Sequence, residues 1–207
     1  MHMGIPIHIT GLNEFIPEIP DGTMILVEGN IDPIASIFVQ QLANVAANHK
    51  DLVTYITSRT KEEVMEMVRF HNKNPPSFTV VEDPSYLHWK DYLKLNSLLV
   101  IDSFSYLVLD KSMLEVRQIL EDFLRMSRQQ EAVVLLTMEQ GMLDPKIEVT
   151  IAHLADGIFH FLTRDTSVGV AHLIRIPKWV TGNSFDENIY YKFDGRRINV
   201  DLRARVR

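Results

Sequence analysis

Apolar segments of strand length alternate with segments of helix length between residues 24 and 137. The strand candidates are near-continuous apolar runs, which is typical of parallel strands covered on both faces. They are Met24–Glu28, Leu52–Thr57, Phe78–Glu82, Ser97–Ile101 and Ala132–Thr137. The helix candidates between them are Pro33–Ala47, Lys61–His71, Ser85–Leu95 and Ser112–Arg128. This alternation predicts an α/β fold with a mainly parallel central sheet flanked by helices.

The last quarter of the chain has a different pattern. Short strand candidates joined by turns follow one another there, namely Gly157–Leu162, Gly169–Ile176, Ile189–Phe193 and Ile198–Leu202. Asp194-Gly195 is a hairpin signal between the last two. We therefore expect antiparallel strands at the C-terminal end of the sheet. With a hairpin turning near Thr166, His160 and His172 are predicted to face each other as a polar pair, a metal site being the less favoured alternative.

Composition and charge limit the classes of protein to which this chain can belong. The 207 residues, 46% of them apolar, suit a single domain over residues 1–207. A net charge of −6 provides no overall field that favours nucleic acid. The lack of cysteine excludes disulfides and thiolate chemistry. Apolar runs fall short of the roughly 18 residues of a membrane span, and the start shows no signal peptide, so a cytoplasmic location is expected.

The segment from Met24 to Ser36 has the form of a phosphate-binding loop that lacks its phosphate-binding residues. An apolar strand leads into a glycine and then a helix, and the reference pattern is G-x-x-x-x-G-K-[ST]. Gly29 and Ser36 occupy its first and last positions, but Ile34 and Ala35 replace the second glycine and the lysine. Loss of such a charge partner costs on the order of 2–5 kcal/mol.

Asp32 adds a further obstacle to phosphate binding. It precedes Pro33, which suits a first helical position, so Asp32 is predicted to cap the helix N-terminus. A carboxylate would then stand where a phosphate group would bind.

A second motif is the strand Leu98–Ile101 followed by Asp102 and Ser103. This strand resembles the Walker B strand of P-loop ATPases, and the resemblance implies that Asp102 holds Mg²⁺ through water, with Ser36 as a further ligand. Asp102 can equally accept hydrogen bonds from Ser36 and nearby backbone. Because the lysine is absent, we favour the second interpretation.

These motifs, in this order, resemble RecA-fold ATPases of the KaiC type and, among them, the ArlH (FlaH) group of archaellum proteins. The stretch Ile16–Thr23 is similar to the family's segment before the phosphate-loop strand, and Val53–Thr57 to its second strand. The late segment Arg175–Trp179, followed by Thr181, Gly182, Asn183 and Phe185, is similar to the one that carries a lysine near a neighbouring subunit's nucleotide. The resemblance implies a RecA-like P-loop NTPase fold and an archaeal source.

The resemblance also maps a vestigial nucleotide site onto this chain. It comprises Gly29, Asn30, Asp32, Ser36, Asp102 and Lys178. The family's acidic residue for water activation is absent, since Ser58-Arg59-Thr60 follows the second strand, and Val180 replaces an arginine beyond Lys178. We therefore expect no catalytic residue, no metal site and no cofactor, ATP and Mg²⁺ belonging to the alternative.

Three functions stay open at this point. The favoured hypothesis is a non-catalytic RecA/KaiC-like protein that assembles with itself or with an active ATPase relative. The first alternative is a weak ATP-binding protein or ATPase that uses Ser36 and Asp102. The second is a nucleic-acid-associated accessory protein, supported by a basic tail with Lys192, Arg196, Arg197, Arg203, Arg205 and Arg207, for which a solvated, charge-protected edge strand is the preferred interpretation.

Overall fold

The computed structural model describes residues 4–30, 33–71, 78–83, 88–167, 169–180, 182 and 185–201, with backbone alone at 186–187. The chain opens with a lead-in of two short antiparallel strands, β1 (Ile5–Pro6) and β2 (Glu18–Ile19), around a 3-10 helix at Leu12–Glu14. Its apolar side chains are buried in the core, so the lead-in packs on the rest of the domain.

Nine further strands form one sheet. They are β3 (Met24–Gly29), β4 (Leu52–Thr57), β5 (Thr79–Glu82), β6 (Ser97–Asp102), β7 (Val133–Glu139), β8 (Gly157–Thr166), β9 (Gly169–Lys178), β10 (Phe185–Phe193) and β11 (Ile198–Val200). Their order is β11-β10-β9-β8-β3-β7-β6-β4-β5. Strands β3 to β8 pair in parallel and β8 to β11 pair antiparallel, which confirms the predicted fold class.

Six α-helices accompany the sheet in the described residues. They are α1 (Ile34–Ala46), α2 (Lys61–His71), α3 (Trp89–Tyr92), α4 (Phe104–Val108), α5 (Met113–Gln129) and α6 (Pro145–Leu154). The predicted helix at Ser85–Leu95 is a single turn at α3, and residues 85–87 of that prediction lie outside the described part. Two helices were not predicted: α4 is too short for a periodic signal, and α6 follows an Asp144-Pro145 start signal.

Both faces of the sheet are covered, which explains the near-continuous apolar runs. In β3, Ile25 and Val27 pack in the cluster that contains α1, whereas Met24 and Leu26 pack in the cluster that contains α5. All four side chains are fully buried. A buried ion pair lies just beyond the C-terminal end of α1. There the Lys50 ammonium binds the Asp21 carboxylate and, at 3.1 Å, the Asn96 Oδ1.

The hairpin of β8 and β9 has a different register from the predicted one. His160 lies opposite Arg175, and His172 lies opposite Thr163. The predicted facing pair of histidines is therefore wrong, because the hairpin turns between Thr166 and Gly169. The last strand ends at Val200 instead of Leu202, which lies outside the described residues. No helix in the described ranges is long and apolar enough to cross a membrane.

Candidate functional site

The carboxyl ends of the parallel strands meet at one edge of the sheet, and α1 begins there. β3 ends at Gly29, β6 ends at Asp102, and α1 carries Ser36 in its first turn. This edge is where ligands bind in open α/β sheets. The structure thus brings together Gly29, Ser36 and Asp102, which the sequence pattern selected.

Hydroxyl groups of the protein occupy both oxygens of the Asp102 carboxylate. Oδ1 accepts hydrogen bonds from Ser36 Oγ at 3.0 Å and Thr137 Oγ1 at 2.7 Å, and Oδ2 accepts one from the Tyr55 hydroxyl. Asp102 is 3% exposed and Tyr55 is fully buried. Burial, followed by the Asp102 charge, raises the pKa of the Tyr55 phenol well above its ordinary value, so that hydroxyl remains a donor. The predicted bond from Ser36 to Asp102 is present.

Tyr55 and Thr137 were missed by sequence reasoning. Both lie inside strands that read as core, Tyr55 in β4 and Thr137 in β7, on either side of Asp102 in β6. The sequence does place a hydroxyl-bearing residue near the end of each of these buried strands. Because buried hydroxyls need hydrogen-bond partners, this could have indicated a polar contact there. Their proximity to Asp102 depends on the strand order.

The end of β3 and the first turn of α1 approach each other closely. A Cβ added to Gly29 would lie 3.1 Å from the Ala35 Cβ, and Gly29 has no positive φ. Glycine is therefore needed here for close approach of strand and helix. Ala35, at the position of the missing lysine, is 7% exposed, and Ile34 is 5% exposed.

The helix start differs from the predicted one. α1 begins at Ile34, and Pro33 is its N-cap residue, without a side-chain cap bond. The prediction that Asp32 is the N-cap is therefore wrong by one position, because Pro33 precedes the first helical residue. Asp32 itself lies outside the described residues.

The two remaining members of the predicted set lie apart from Asp102. Asn30 donates from Nδ2 to Thr163 Oγ1 at 3.4 Å, which ties it to β8. Lys178 pairs with Ile158 at the beginning of β8, so it lies at the opposite edge of the sheet from Gly29. Its Nζ donates to the His153 backbone oxygen at 2.7 Å. Within one chain, Lys178 is not part of the Asp102 site.

A second carboxylate stands at the same edge. Glu139 ends β7, and its Oε2 accepts a hydrogen bond from Ser103 Oγ at 2.6 Å. The Glu139 backbone N–H donates to Ser105 Oγ at 3.1 Å. Sequence analysis did not select Glu139, because nothing local distinguishes it from an exposed acidic residue in a turn. It adds negative charge beside Asp102.

A partly buried glutamate, Glu28, and a partly buried histidine, His160, lie near the same strand ends but on the opposite face of the sheet. Glu28 Oε2 lies 3.8 Å from His160 Nδ1, and His160 Nε2 lies 3.3 Å from Gln140 Oε1. Burial and the negative charge of Glu148 raise the pKa of Glu28 to about 7. Burial and the positive charge of Arg175 lower the pKa of His160. Burial is the largest cause of both pKa shifts, and each shift favours the neutral form relative to the free side chain.

No group of three or more potential metal-binding side chains occurs among the residues that the structure describes. The arrangement at this edge is a hydrogen-bonded carboxylate, and the positive charge of Arg59 acts on the Tyr55 phenol beside it. In the described part of the chain, Asp102 forms no ion pair with Lys or Arg.

Comparison with solved structures shows the fold. The flagellar accessory protein FlaH from Methanocaldococcus jannaschii superposes with a TM-score of 0.77 at 19% identity, over 96% of this chain and 98% of that one. The KaiC-like protein PH0186 from the hyperthermophilic archaeon Pyrococcus horikoshii OT3 superposes with a TM-score of 0.77 at 16% identity, over 97% of this chain and 100% of that one. The RecA-like fold of KaiC-like proteins is therefore the fold of this chain.

Comparison at the level of sequence gives one family. No curated protein matches the chain. The family described as "Family of unknown function (DUF7125)" matches residues 18–206, which include β3, α1 and Asp102. Because that match covers nearly the whole chain, the protein belongs to the DUF7125 family.

Proposed function

We propose that this protein is a non-catalytic RecA/KaiC-like protein that acts through protein–protein assembly, with itself or with an active ATPase relative. One observation carries the proposal: the Asp102 carboxylate is enclosed by three hydroxyl groups of its own chain. A carboxylate that holds Mg²⁺ through water needs an oxygen accessible to that water. Asp102 is 3% exposed, and Ser36, Thr137 and Tyr55 fill three of its roughly four acceptor sites.

The charge at this edge supports the same proposal. A nucleotide triphosphate needs cationic or backbone donors to balance its negative charge. Ala35, with a buried methyl group, stands where the phosphate-loop pattern has its lysine. Glu139 adds a second carboxylate near Asp102. Both carboxylates repel a phosphate group, and among the described residues neither forms an ion pair with Lys or Arg.

An exposed apolar surface beside this edge supports assembly. It lies on α4, the following turn and the start of α5, and we call it the α4–α5 surface; its members are Tyr106, Leu109, Met113 and Leu114. Leu114 is 75% exposed and Tyr106 is 55% exposed. Clustered exposed apolar side chains are typical of protein contact sites. Since α4 directly follows Asp102 and Ser103, this surface adjoins the carboxyl edge.

The nucleotide part of the proposal is tested by isothermal titration with Mg-ATP. We expect no heat of binding for the full chain, because neither the lysine nor an accessible carboxylate is provided. A purified KaiC-like ATPase titrated under the same conditions is the positive control. Saturable binding at micromolar affinity would contradict the proposal.

The assembly part is tested by sedimentation velocity, on the chain alone and mixed with a RecA-like ATPase from the same genome. Leu114→Glu places a charge on the α4–α5 surface and is expected to abolish the complex. Leu95→Glu is the matched control, because Leu95 is 57% exposed but precedes β6 at the opposite edge of the sheet. A monomer in both wild-type samples, or equal loss in both variants, would contradict this part.

A weak ATP-binding protein or ATPase is the second candidate function. It is favoured by the position of Ser36 Oγ, 3.0 Å from Asp102 Oδ1, because a hydroxyl and a carboxylate so placed can share Mg²⁺. Lys178 of a neighbouring copy would supply the missing charge. Nucleotide density over residues 29–36 would support this candidate, and hydrolysis unaffected by Asp102→Ala would count against it.

A further inference from the structure

A cleft of about 320 Å³ lies between the lead-in, the second half of α1 and the hairpin of β10 and β11. Hydrogen bonds join its three sides. Gln41 Nε2 of α1 donates to the Arg196 backbone oxygen at 3.2 Å, and the Val200 backbone N–H donates to the Thr10 oxygen at 3.0 Å. The cleft is therefore pre-formed. None of its lining residues belongs to the Asp102 edge.

The floor of the cleft is apolar. Ile9, Leu42 and Ile198 line it and are 5%, 1% and 2% exposed, respectively. Each comes from a different side of the cleft, so the floor is continuous across the junction. Because these three side chains expose little area, the partly buried Val45 of α1, which also lines the cleft, extends the apolar surface for the body of a small ligand.

The rim of the cleft is polar and its only formal charge is positive. Arg197 lines it together with His8 and the side-chain amides of Asn48 and Asn199, and no Asp or Glu is among the lining residues. Among the residues that the structure describes, the Arg197 guanidinium forms no ion pair. Its charge also acts on the nearby Asp194 carboxylate, so an external anion would share the guanidinium's field with that group.

Asp194, in the same turn as Arg197, has a carboxylate that already accepts hydrogen bonds from nearby residues of the hairpin. Asp194 Oδ1 accepts the backbone N–H groups of Arg196 and Arg197, both at 2.8 Å, and Oδ2 accepts the Asn199 amide at 3.3 Å. These bonds, the one from Arg197 first, lower the pKa of Asp194. The carboxylate thus orders the turn that presents the Arg197 side chain.

We propose that this cleft is a binding site for a small organic anion. The apolar body of the ligand lies on Ile9, Leu42 and Ile198, and its carboxylate or phosphate group binds the Arg197 guanidinium. Asn48 and His8 add hydrogen bonds from the rim. An apolar floor with a few convergent polar groups is the usual form of a small-molecule site, and an arginine fork suits a planar carboxylate or a phosphate. This site is independent of the function proposed above.

The test is an amide NMR titration of the full chain with phenyl phosphate. We expect saturable shifts confined to residues 8–10, 41–48 and 197–199. Phenol keeps the ring and lacks the anion, and inorganic phosphate keeps the anion and lacks the ring. Each is expected to bind about tenfold more weakly or worse, because each loses one of the two recognition elements.

Two substitutions locate the anion contact. Arg197→Gln is expected to raise the Kd for phenyl phosphate about tenfold by removing a charge-assisted contact. Arg196→Gln, a neighbour of equal charge whose side chain does not line the cleft, is expected to leave the Kd unchanged. Asn48→Trp, at an exposed position on the rim, is expected to block the cleft without unfolding the protein.

Three outcomes overturn the proposal. The first is a lack of saturable shifts with phenyl phosphate through the millimolar range. The second is an equal effect of Arg196→Gln and Arg197→Gln, which would indicate a general attraction to basic surface. The third is binding that persists in Asn48→Trp while its spectrum shows the native fold.

Discussion

Ser36 Oγ donates a hydrogen bond to Asp102 Oδ1 over 3.0 Å, and so joins the first turn of α1 to the end of β6. Thr137 and Tyr55 donate two further hydrogen bonds to the same carboxylate, so all three of these donors are hydroxyl groups of the protein itself. These bonds hold α1 and strands β4, β6 and β7 together at the Asp102 carboxylate.

Tyr55→Phe tests the strength of this network. The ring keeps its stacking on Phe78, but a buried carboxylate loses one O–H donor and Gln40 loses its acceptor. We expect a loss of about 1.5–3 kcal/mol in the free energy of unfolding, measured by urea denaturation. Tyr106→Phe is the control, since that residue is 55% exposed and should change stability by less than about 0.5 kcal/mol. Equal effects of the two variants would contradict the network.

Gly29→Ala tests the close approach of β3 and α1. Its new methyl group would lie 3.1 Å from the Ala35 Cβ, so strand and helix must separate slightly. We expect a cost of about 1–3 kcal/mol. Ala35→Gly alone should cost about 1 kcal/mol as a glycine in a helix.

In the double variant, the space freed at Ala35 receives the methyl group at Gly29. The free energies of unfolding of the four proteins form a double-mutant cycle, and we expect the double variant to be more stable than additivity predicts. Strict additivity would show that the two residues do not limit each other.

Glu28→Gln is predicted to remove a pH dependence of stability. The folded protein keeps the Glu28 proton up to a pKa of about 7, whereas the unfolded chain releases it near 4.5. The stabilisation from the bound proton is therefore complete below pH 4.5 and is lost as the pH rises to about 7.

Across that range, the stability of the wild type should fall relative to Glu28→Gln by on the order of 3 kcal/mol, as measured by denaturation at a series of pH values. His160, whose lowered pKa acts in the opposite direction, is common to both proteins. Glu121→Gln, on the exposed face of α5, is the control and should leave the wild-type profile unchanged. A difference that does not vary with pH would contradict the raised pKa of Glu28.

Lys50→Ala tests the buried ion pair between the lead-in and the sheet. The Lys50 side chain is 0% exposed and binds Asp21 and Asn96, so its removal leaves a partly buried carboxylate without its partner. We expect a loss of about 3–5 kcal/mol in thermal or urea unfolding. Lys90→Ala breaks a Lys–Asp pair in which Lys90 is 54% exposed, and should cost less than about 1 kcal/mol. Similar losses in both would contradict the role of burial.

Local patterns in the sequence were sufficient to predict several elements. The bounds of β4 and α2 were predicted residue for residue, and the Thr60–Glu63 pair at the start of α2 forms a reciprocal cap. Short or buried features were harder to predict. α4 has five residues and no periodic signal, and the offset of His160 from His172 depends on where a hairpin turns.

The sequence by itself determined the mainly parallel sheet, its antiparallel end and the absence of a lysine from the turn after β3, because apolar periodicity and residue identity are local properties. The tertiary structure decided which side chains meet. Tyr55 and Thr137 reach Asp102 because β4 and β7 flank β6, and Lys178 lies at the far edge because β9 runs antiparallel to β8. Strand order and direction result from the packing of the whole core, so no single segment of the sequence encodes them.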